Sequence, residues 1–303
     1  MKRALKWAAI GMAGLISVAL IAVIVLSVLG GRRLNARYEI PAEGPEVSAD
    51  PASIERGRHL ATALTLCNGC HGDDLSGTVL EEVPGVMTLA APNLTSGRGG
   101  SGGLYSDADR VRAIRHGVNR DGRGLLIMHA DAYNNLSRSD LAAIVAYVKS
   151  VPPVDNELAT EVRFLGRAMV ALGLFDTDGV PLIAAEQIDH SAPFREAPDP
   201  GPTAEYGEYL MSVSVCAMCH GEDLRGRPPL DPASPPGPDI ARRAGDGGWS
   251  DDQFMATIRT GVTPDGRSLN PEWMPWSVYA RLSNDELLAI WRRMQVVARE
   301  TGG

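Results

Sequence analysis

The sequence is short of aromatic residues. Phe, Trp and Tyr make up 5% of its 303 residues, which leaves little side-chain bulk for a large core. A basic excess is absent too. Twenty-nine Lys and Arg against 37 Asp and Glu give a formal charge of −8, which argues against a nucleic-acid partner. No convincing period-two alternation marks a strand. Cysteine is scarce, with four in all, so a disulfide framework has almost nothing to work with. Glycine (33) and proline (21) are plentiful, and the loops they make suit wrapping around a flat group better than building a sheet.

All four cysteines fall in two matching stretches, Cys67-Asn68-Gly69-Cys70-His71-Gly72 and Cys216-Ala217-Met218-Cys219-His220-Gly221. C-x-x-C-H is the attachment signature of a c-type haem. The spacing puts two thiols on successive corners of one helical turn, where each can bond one vinyl group of the same porphyrin. The following His then offers its imidazole to the iron. Zinc is the plainer alternative, because two C-x-x-C pairs could supply four ligands, but it leaves both His71 and His220 unexplained. Thiol redox chemistry would need a βαβ context, and none is visible. Two covalent haems are therefore expected. Haem attachment of this kind takes place in bacteria outside the cytoplasmic membrane.

Residues Trp7–Gly31 carry no charged side chain, and Lys2, Arg3 and Lys6 precede them. As a helix, this run would be about 37 Å long, enough for a bilayer core of about 30 Å. It is long for a cleaved leader, whose apolar region is about 7–15 residues. A retained anchor over 1–31 is expected, crossing once, with the body on the periplasmic side. Residues 32–52, with Pro41, Pro45 and Pro51, read as a tether.

The remainder contains an internal repeat. Arg56-Gly57-Arg58-His59-Leu60 matches Tyr206-Gly207-Glu208-Tyr209-Leu210. Asp74-Leu75-Ser76-Gly77 matches Asp223-Leu224-Arg225-Gly226, and Pro92-Asn93-Leu94 matches Pro238-Asp239-Ile240. Arg115, Asp121, Met128, Tyr133 and Ser137 match Arg259, Asp265, Met274, Tyr279 and Ser283. Two domains are expected, at 53–151 and 204–303. Each should have a helix running into C-x-x-C-H, one starting near Ser106 or Ser250, and one after Ser137 or Ser283. Ser250 with Gln253, and Ser283 with Glu286, are capping boxes. Leu141, Ile144, Val145 and Val148 form one apolar stripe, and Leu287, Ile290, Trp291 and Met294 another.

A Met thioether is the usual soft partner opposite His in an electron-transfer haem. Met274, in the rigid Asn270–Trp276 loop, and Met128, at the same place in the first copy, are the candidates. Position in the repeat separates them from the other eight Met, whose default role is core filling. His129 stands where the second copy has Pro275 and is a rival ligand for the first haem. Arg115 and Arg259 are candidate partners for haem propionates. Tyr133, Tyr279, Trp249 and Trp276 could serve the same end or pack on the porphyrin. His59, His116 and His190 read as structural or solvated. Residues 152–203 lie outside the repeat. Within them Val162–Phe175 is apolar with helical spacing; packing between the domains is the default expectation, and a face toward a partner or the membrane surface is the alternative. Pro193, Pro198, Pro200 and Pro202 then form a stiff linker.

With its paired C-x-x-C-H-G-x-x-L-x-G stretches, Met274-Pro275, the Leu-Ser entry to each last helix and Ile188-Asp189-His190, the chain resembles membrane-anchored dihaem class I cytochromes c. The likeness is greatest to the cytochrome subunits of bacterial periplasmic alcohol and aldehyde dehydrogenases, and it covers about residues 51–303. It departs from them at His129, where they usually have proline, and in having two haem motifs where some have three. The resemblance implies an all-α fold: two tandem class I cytochrome c domains behind a transmembrane helix. It implies haem 1 held by Cys67, Cys70, His71 and Met128, and haem 2 by Cys216, Cys219, His220 and Met274. It also implies an electron carrier with no catalytic residues of its own. A periplasmic dehydrogenase would be the donor, and an oxidase, quinone-linked complex or soluble cytochrome the acceptor. A dihaem peroxidase is the alternative.

Overall fold

The computed structural model describes residues 2–41, 44–176, 181–229 and 234–300. Helix α1 (Lys2–Leu34) is continuous and carries the whole uncharged run. It is the one helix among the described residues long and apolar enough to cross a membrane. It runs three residues past Gly31, and its last turns are held. Ser27 Oγ donates to the Phe164 carbonyl at 2.9 Å, and Arg33 forms ion pairs with Asp176 and Glu186 at 2.6 and 2.7 Å.

The segment expected to be a tether is likewise laid against the body. Arg37 bridges to Arg123, and the Tyr38 N–H donates to Gly122 O at 2.8 Å. Pro41 and Pro45 disfavour a helix here, but extended backbone at 37–38 still finds partners at a neighbouring turn.

Helix α2 (Pro51–His59) has the start signals its sequence carries. Asp50 caps it by accepting from the Ser53 N–H at 2.9 Å, and Pro51 fills the first turn, where no amide donor is needed. A π-helical turn, Leu60–Leu64, follows, and then a separate single turn α3 (Cys67–His71). One helix does not, therefore, run unbroken into the motif. The Thr65 hydroxyl donates back to Leu60 O at 3.1 Å, and Leu66 is left-handed at φ 52°. A hydroxyl bonding back to the preceding turn competes with helix continuation.

A hairpin comes next, and it corrects the all-α expectation. Strand β1 (Thr78–Val83) pairs antiparallel with β2 (Met87–Ala91), with a bulge between Val79 and Glu81. The two-residue period is in fact present in β2, where Met87, Leu89 and Ala91 are buried and Thr88 and Ala90 are less so. It is only five residues long, too short to stand out in sequence.

Helix α4 (Asp107–His116) opens on a Ser106–Asp109 capping box. After the short α5 (Ala130–Tyr133), α6 (Arg138–Ser150) buries Leu141, Ile144, Val145 and Val148 along one face. Helices α2 and α6 cross at Gly57, where a Cβ would lie 1.8 Å from Ala143 O. No side chain fits there, and this is why glycine sits inside a helix that it otherwise weakens.

Strand β3 (Glu161–Val162) joins β2, and α7 (Phe164–Ala171) follows. Helix α7 does not pack between the two copies as expected. It packs on α1: a Cβ on Gly30 would lie 1.8 Å from Arg167 O. The small residues Ser27 and Gly30 make that approach possible. Residues 154–156 and 182–192 bind to the first copy, through Asn93 Nδ2 to Val154 O at 2.7 Å and Arg115 Nη2 to Ala192 O at 2.6 Å.

The second half repeats the first. Helix α8 (Ala204–Ser212) and the single turn α9 (Cys216–His220) are again separated, with Ser214 Oγ donating to Met211 O at 3.0 Å. Among the described residues, the counterpart of the hairpin is one bridge, Arg227 to Gly237. Helix α10 (Ala241–Ala244) precedes α11 (Asp251–Thr260), which has the Ser250–Gln253 box. Then come α12 (Trp276–Tyr279) and α13 (Asn284–Glu300). Gly207 of α8 meets α13 as Gly57 meets α6, with a Cβ position 1.9 Å from Ala289 O.

The two halves share one apolar core, including Leu60, Leu136, Leu210 and Trp291. Across it they exchange equivalent contacts. His59, at the end of α2, reaches Glu286 of α13 at 2.9 Å. Its counterpart Tyr209, on α8, donates to Asp140 of α6 at 2.7 Å. Arg56 lies between, paired to Asp140 at 3.0 Å and 3.7 Å from Glu286. Although burial alone would raise the Glu286 carboxyl, the His59 ring and the Ser283 N–H hold it below the usual carboxylate range. Both carboxylates are buried, so each depends on these partners.

Candidate haem-binding sites

His71 closes the α3 turn and is buried. Its Nδ1 lies 2.8 Å from Pro92 O. A carbonyl can only accept, so Nδ1 carries the proton and Nε2 keeps its lone pair. Burial also lowers the imidazole pKa, which favours the neutral form. His220 repeats this in α9, with Nδ1 3.0 Å from Pro238 O and the same lowering by burial. A carbonyl fixing the far nitrogen is the usual second partner of a metal-ligating His. The repeated prolines Pro92 and Pro238 supply these carbonyls.

The loop after each motif is held by its glycine. Gly77 (φ 90°) donates to His71 O at 2.7 Å and Gly226 (φ 95°) to His220 O at 2.8 Å. Both lie in the left-handed region that favours glycine.

Each motif opens on an apolar cavity. One, of about 380 Å³, is lined by Cys216, Cys219, His220, Met274, Trp249 and Trp273, among others. The other, of about 450 Å³, is lined by Cys67, Cys70, His71, Met128, His129 and Tyr133 and extends to Cys216, His220 and Met274. Both volumes fall in the range of about 300–1,000 Å³ usual for cofactor sites. The larger cavity is thus lined by all eight residues expected from sequence and the smaller by the four of the second copy, so the two adjoin. Among the described residues no three His, Cys, Asp or Glu side chains converge as a metal cage requires, so the four sulfurs do not assemble as the zinc alternative needs.

The two Met loops have the same backbone. The Ala130 N–H donates to Met128 O at 2.7 Å, and the Trp276 N–H to Met274 O at 2.6 Å. The residue between has φ −74° and ψ 48° at His129, and −75° and 54° at Pro275. This is an inverse γ-turn. His129 therefore adopts the conformation that proline's ring imposes at the equivalent site. Its ring lines the cavity, and burial lowers its pKa. Met211 and Met294 line the second cavity as well.

The arginine expectation is overturned. Arg115 is buried away from the cavity, with Nη1 donating to Asn134 O at 2.9 Å and its guanidinium 4.0 Å over the Phe194 ring. Arg259 likewise donates to Ala280 O and to Asn284 Oδ1. Both pin the residue after the short helix to the end of the preceding long one. The cations at the cavities are Arg110, Arg243 and Arg267. Arg110 lies within α4 and Arg243 on α10, not at matched positions, so the repeat gave no sign of them.

The aromatic residues divide similarly. Tyr133 donates to Thr65 O at 2.5 Å. Tyr279 is its counterpart, its buried hydroxyl set against Cys216. Trp249 lines the second cavity, whereas Trp276 packs over Gly261 and bonds Leu269 O at 3.3 Å. Trp273, which sequence reasoning passed over, lines both cavities. His116 and His190 pair with each other through Nδ1 at 3.1 Å, outside both cavities. The residues present fit covalent haem: paired thiols, a neutral imidazole with a free Nε2, an apolar slot and a thioether.

Residues 54–152 match the family profile of cytochrome c. The fructose dehydrogenase cytochrome subunit of Gluconobacter japonicus is 28% identical over 268 residues, covering 80% of this chain and 51% of that protein. The cytochrome c subunit of the quinone-type alcohol dehydrogenase of Gluconacetobacter polyoxogenes is 25% identical over 240 residues, covering 70% and 49%. The gluconate 2-dehydrogenase cytochrome c subunit of Pantoea cypripedii is 28% identical over 184 residues, covering 57% and 38%. The chain spans about half the length of the first two. These likenesses do not favour the peroxidase alternative. The C-x-x-C-H turn, carbonyl-fixed histidine and apolar slot of the first half lie inside the region that is similar to the cytochrome c family.

Proposed function

We propose that the chain is a dihaem c-type cytochrome that carries electrons from a dehydrogenase on the periplasmic side of the inner membrane. An oxidase, quinone-linked complex or soluble cytochrome would receive them. The observation carrying this is the duplicated arrangement of C-x-x-C-H, carbonyl-fixed His and γ-turn Met around two adjoining apolar cavities. Bound haem supplies the one-electron redox chemistry. The chain supplies the rest. Cys67, Cys70, Cys216 and Cys219 fix position. Nε2 of His71 and of His220 would ligate the iron of each haem. Met128 and Met274 offer thioethers, which favour a raised potential. Residues 204–303 form a second cytochrome c domain in this reading, and α1 anchors both. The adjoining cavities let an electron pass between sites without leaving the protein.

Pyridine haemochrome quantification with magnetic circular dichroism of the oxidised protein tests this. Two haems per chain, both low-spin with a sulfur–iron charge-transfer band, are expected. One haem per chain would refute the dihaem reading. A high-spin site turning over peroxide would refute the carrier reading.

A further inference from the structure

We propose that α7 and the turn after it lie in the headgroup layer of the bilayer and seat the body of the protein on the membrane surface. The inference rests on reading α1 as a membrane span. Four large apolar side chains here are exposed: Phe164 (54%), Leu165 (48%), Leu172 (56%) and Leu174 (60%). In a water-facing segment this would be an uncovered apolar patch.

The place where α7 docks decides what covers it. It packs on the last two turns of α1, through Ser27 and Gly30. About 20 helical residues cross a hydrocarbon core, so a core beginning near Trp7 ends near Ser27. Residues 27–34 then rise about 10 Å through the interface at 1.5 Å each. Helix α7 sits at that height, beside the exposed Val25, Val28 and Leu29 of α1. The apolar surface of the span and that of α7 are adjacent. Exposed cations, Arg32 and Arg167, lie at the same level, where anionic headgroups attract them. The attachment is stiff. Arg33 donates to Val170 O at 3.1 Å as well as to Asp176 and Glu186. A protein partner on these four residues would have to reach down to the lipid headgroups, so the bilayer is the occupant favoured.

The full-length holoprotein in vesicles of phosphatidylethanolamine and phosphatidylglycerol, carrying a diazirine-bearing phospholipid, tests this. After photolysis, labelled peptides are mapped by mass spectrometry. Labelling of 164–175 together with 7–31 is expected, with peptides of the second half unlabelled. In Leu172→Glu/Leu174→Glu, α7 labelling should fall several-fold while α1 labelling is unchanged. Labelled α1 with unlabelled α7 would overturn the inference and leave the anchor standing, as would protection of α7 only in the presence of a dehydrogenase. Absence of label on α1 as well would overturn the anchor, and the inference with it.

Discussion

Adding one methyl group at the helix crossings should destabilise both halves. Gly57→Ala and Gly207→Ala place a Cβ 1.8 and 1.9 Å from the carbonyl oxygens of Ala143 and Ala289. Ordinary contact begins near 3.4 Å, so each pair of helices must part by about 1.5 Å. The obstacle is backbone inside a helix, and no rotamer change can relieve it. Overpacking of this sort costs about 1–3 kcal/mol, sometimes more. Alanine recovers about 1 kcal/mol of helix propensity over glycine. With a rigid obstacle the cost lies at the upper end, leaving a net loss of about 1–2 kcal/mol. A cooperative unit of this size loses roughly 2–4 °C per kcal/mol, so Tm should fall by about 2–8 °C. Thermal melts of the holoprotein followed in the Soret band measure it. Gly103→Ala, where a Cβ meets nothing within 4 Å, is the control and should not move. An unchanged or raised Tm in Gly57→Ala would refute the close-crossing argument.

Met128→Ala and Met274→Ala should each remove about half of the sulfur–iron band and lower one midpoint potential, with the haem count still two per chain by haemochrome assay. Because the folded Glu286 carboxyl lies below its unfolded value of about 4.3, its contribution to stability is complete above that pH and is lost as pH falls through the folded value. Tm of the wild type should therefore drop more steeply below pH 4.5 than that of Glu286→Gln, as differential scanning calorimetry can measure. Arg115→Lys cannot reach both Asn134 O and Ala192 O. It should cost about 1.5–3 kcal/mol in denaturant unfolding and leave the potentials unchanged, whereas a propionate role would shift them.

Much of the helical scaffold could be read from the chain. Ser250–Gln253 and Ser283–Glu286 do form capping boxes, and the stripes of α6 and α13 are buried, Ile290 only in part. These features were legible because capping and amphipathic spacing act within a few residues. The motif cysteines were legible because covalent chemistry dictates their spacing. Other features depend on distant parts of the chain. Arg115 looked like an anion partner, but residue 115 cannot announce that Asn134 and Ala192 carbonyls will converge on it. The destination of α7 depended on small residues 137 positions away, at Ser27. The hairpin was missed because five alternating residues are too few to outweigh their Gly-rich surroundings. His129 was read as a departure from proline. Its backbone nonetheless keeps proline's angles, and chemistry at the side chain says nothing of that.

The crossed pairs also bear on heredity. His59 depends on Glu286, 227 positions later, and Tyr209 on Asp140, 69 positions earlier. A recombination joint anywhere in the Pro193–Pro202 linker would divide both pairs at once. A descendant that acquired its second half from another lineage would have to receive an acid-binding residue and an acid matched to those already present. The duplicated halves are thus bound to evolve as partners, free to drift apart in their hairpins but not at the residues where each completes the other.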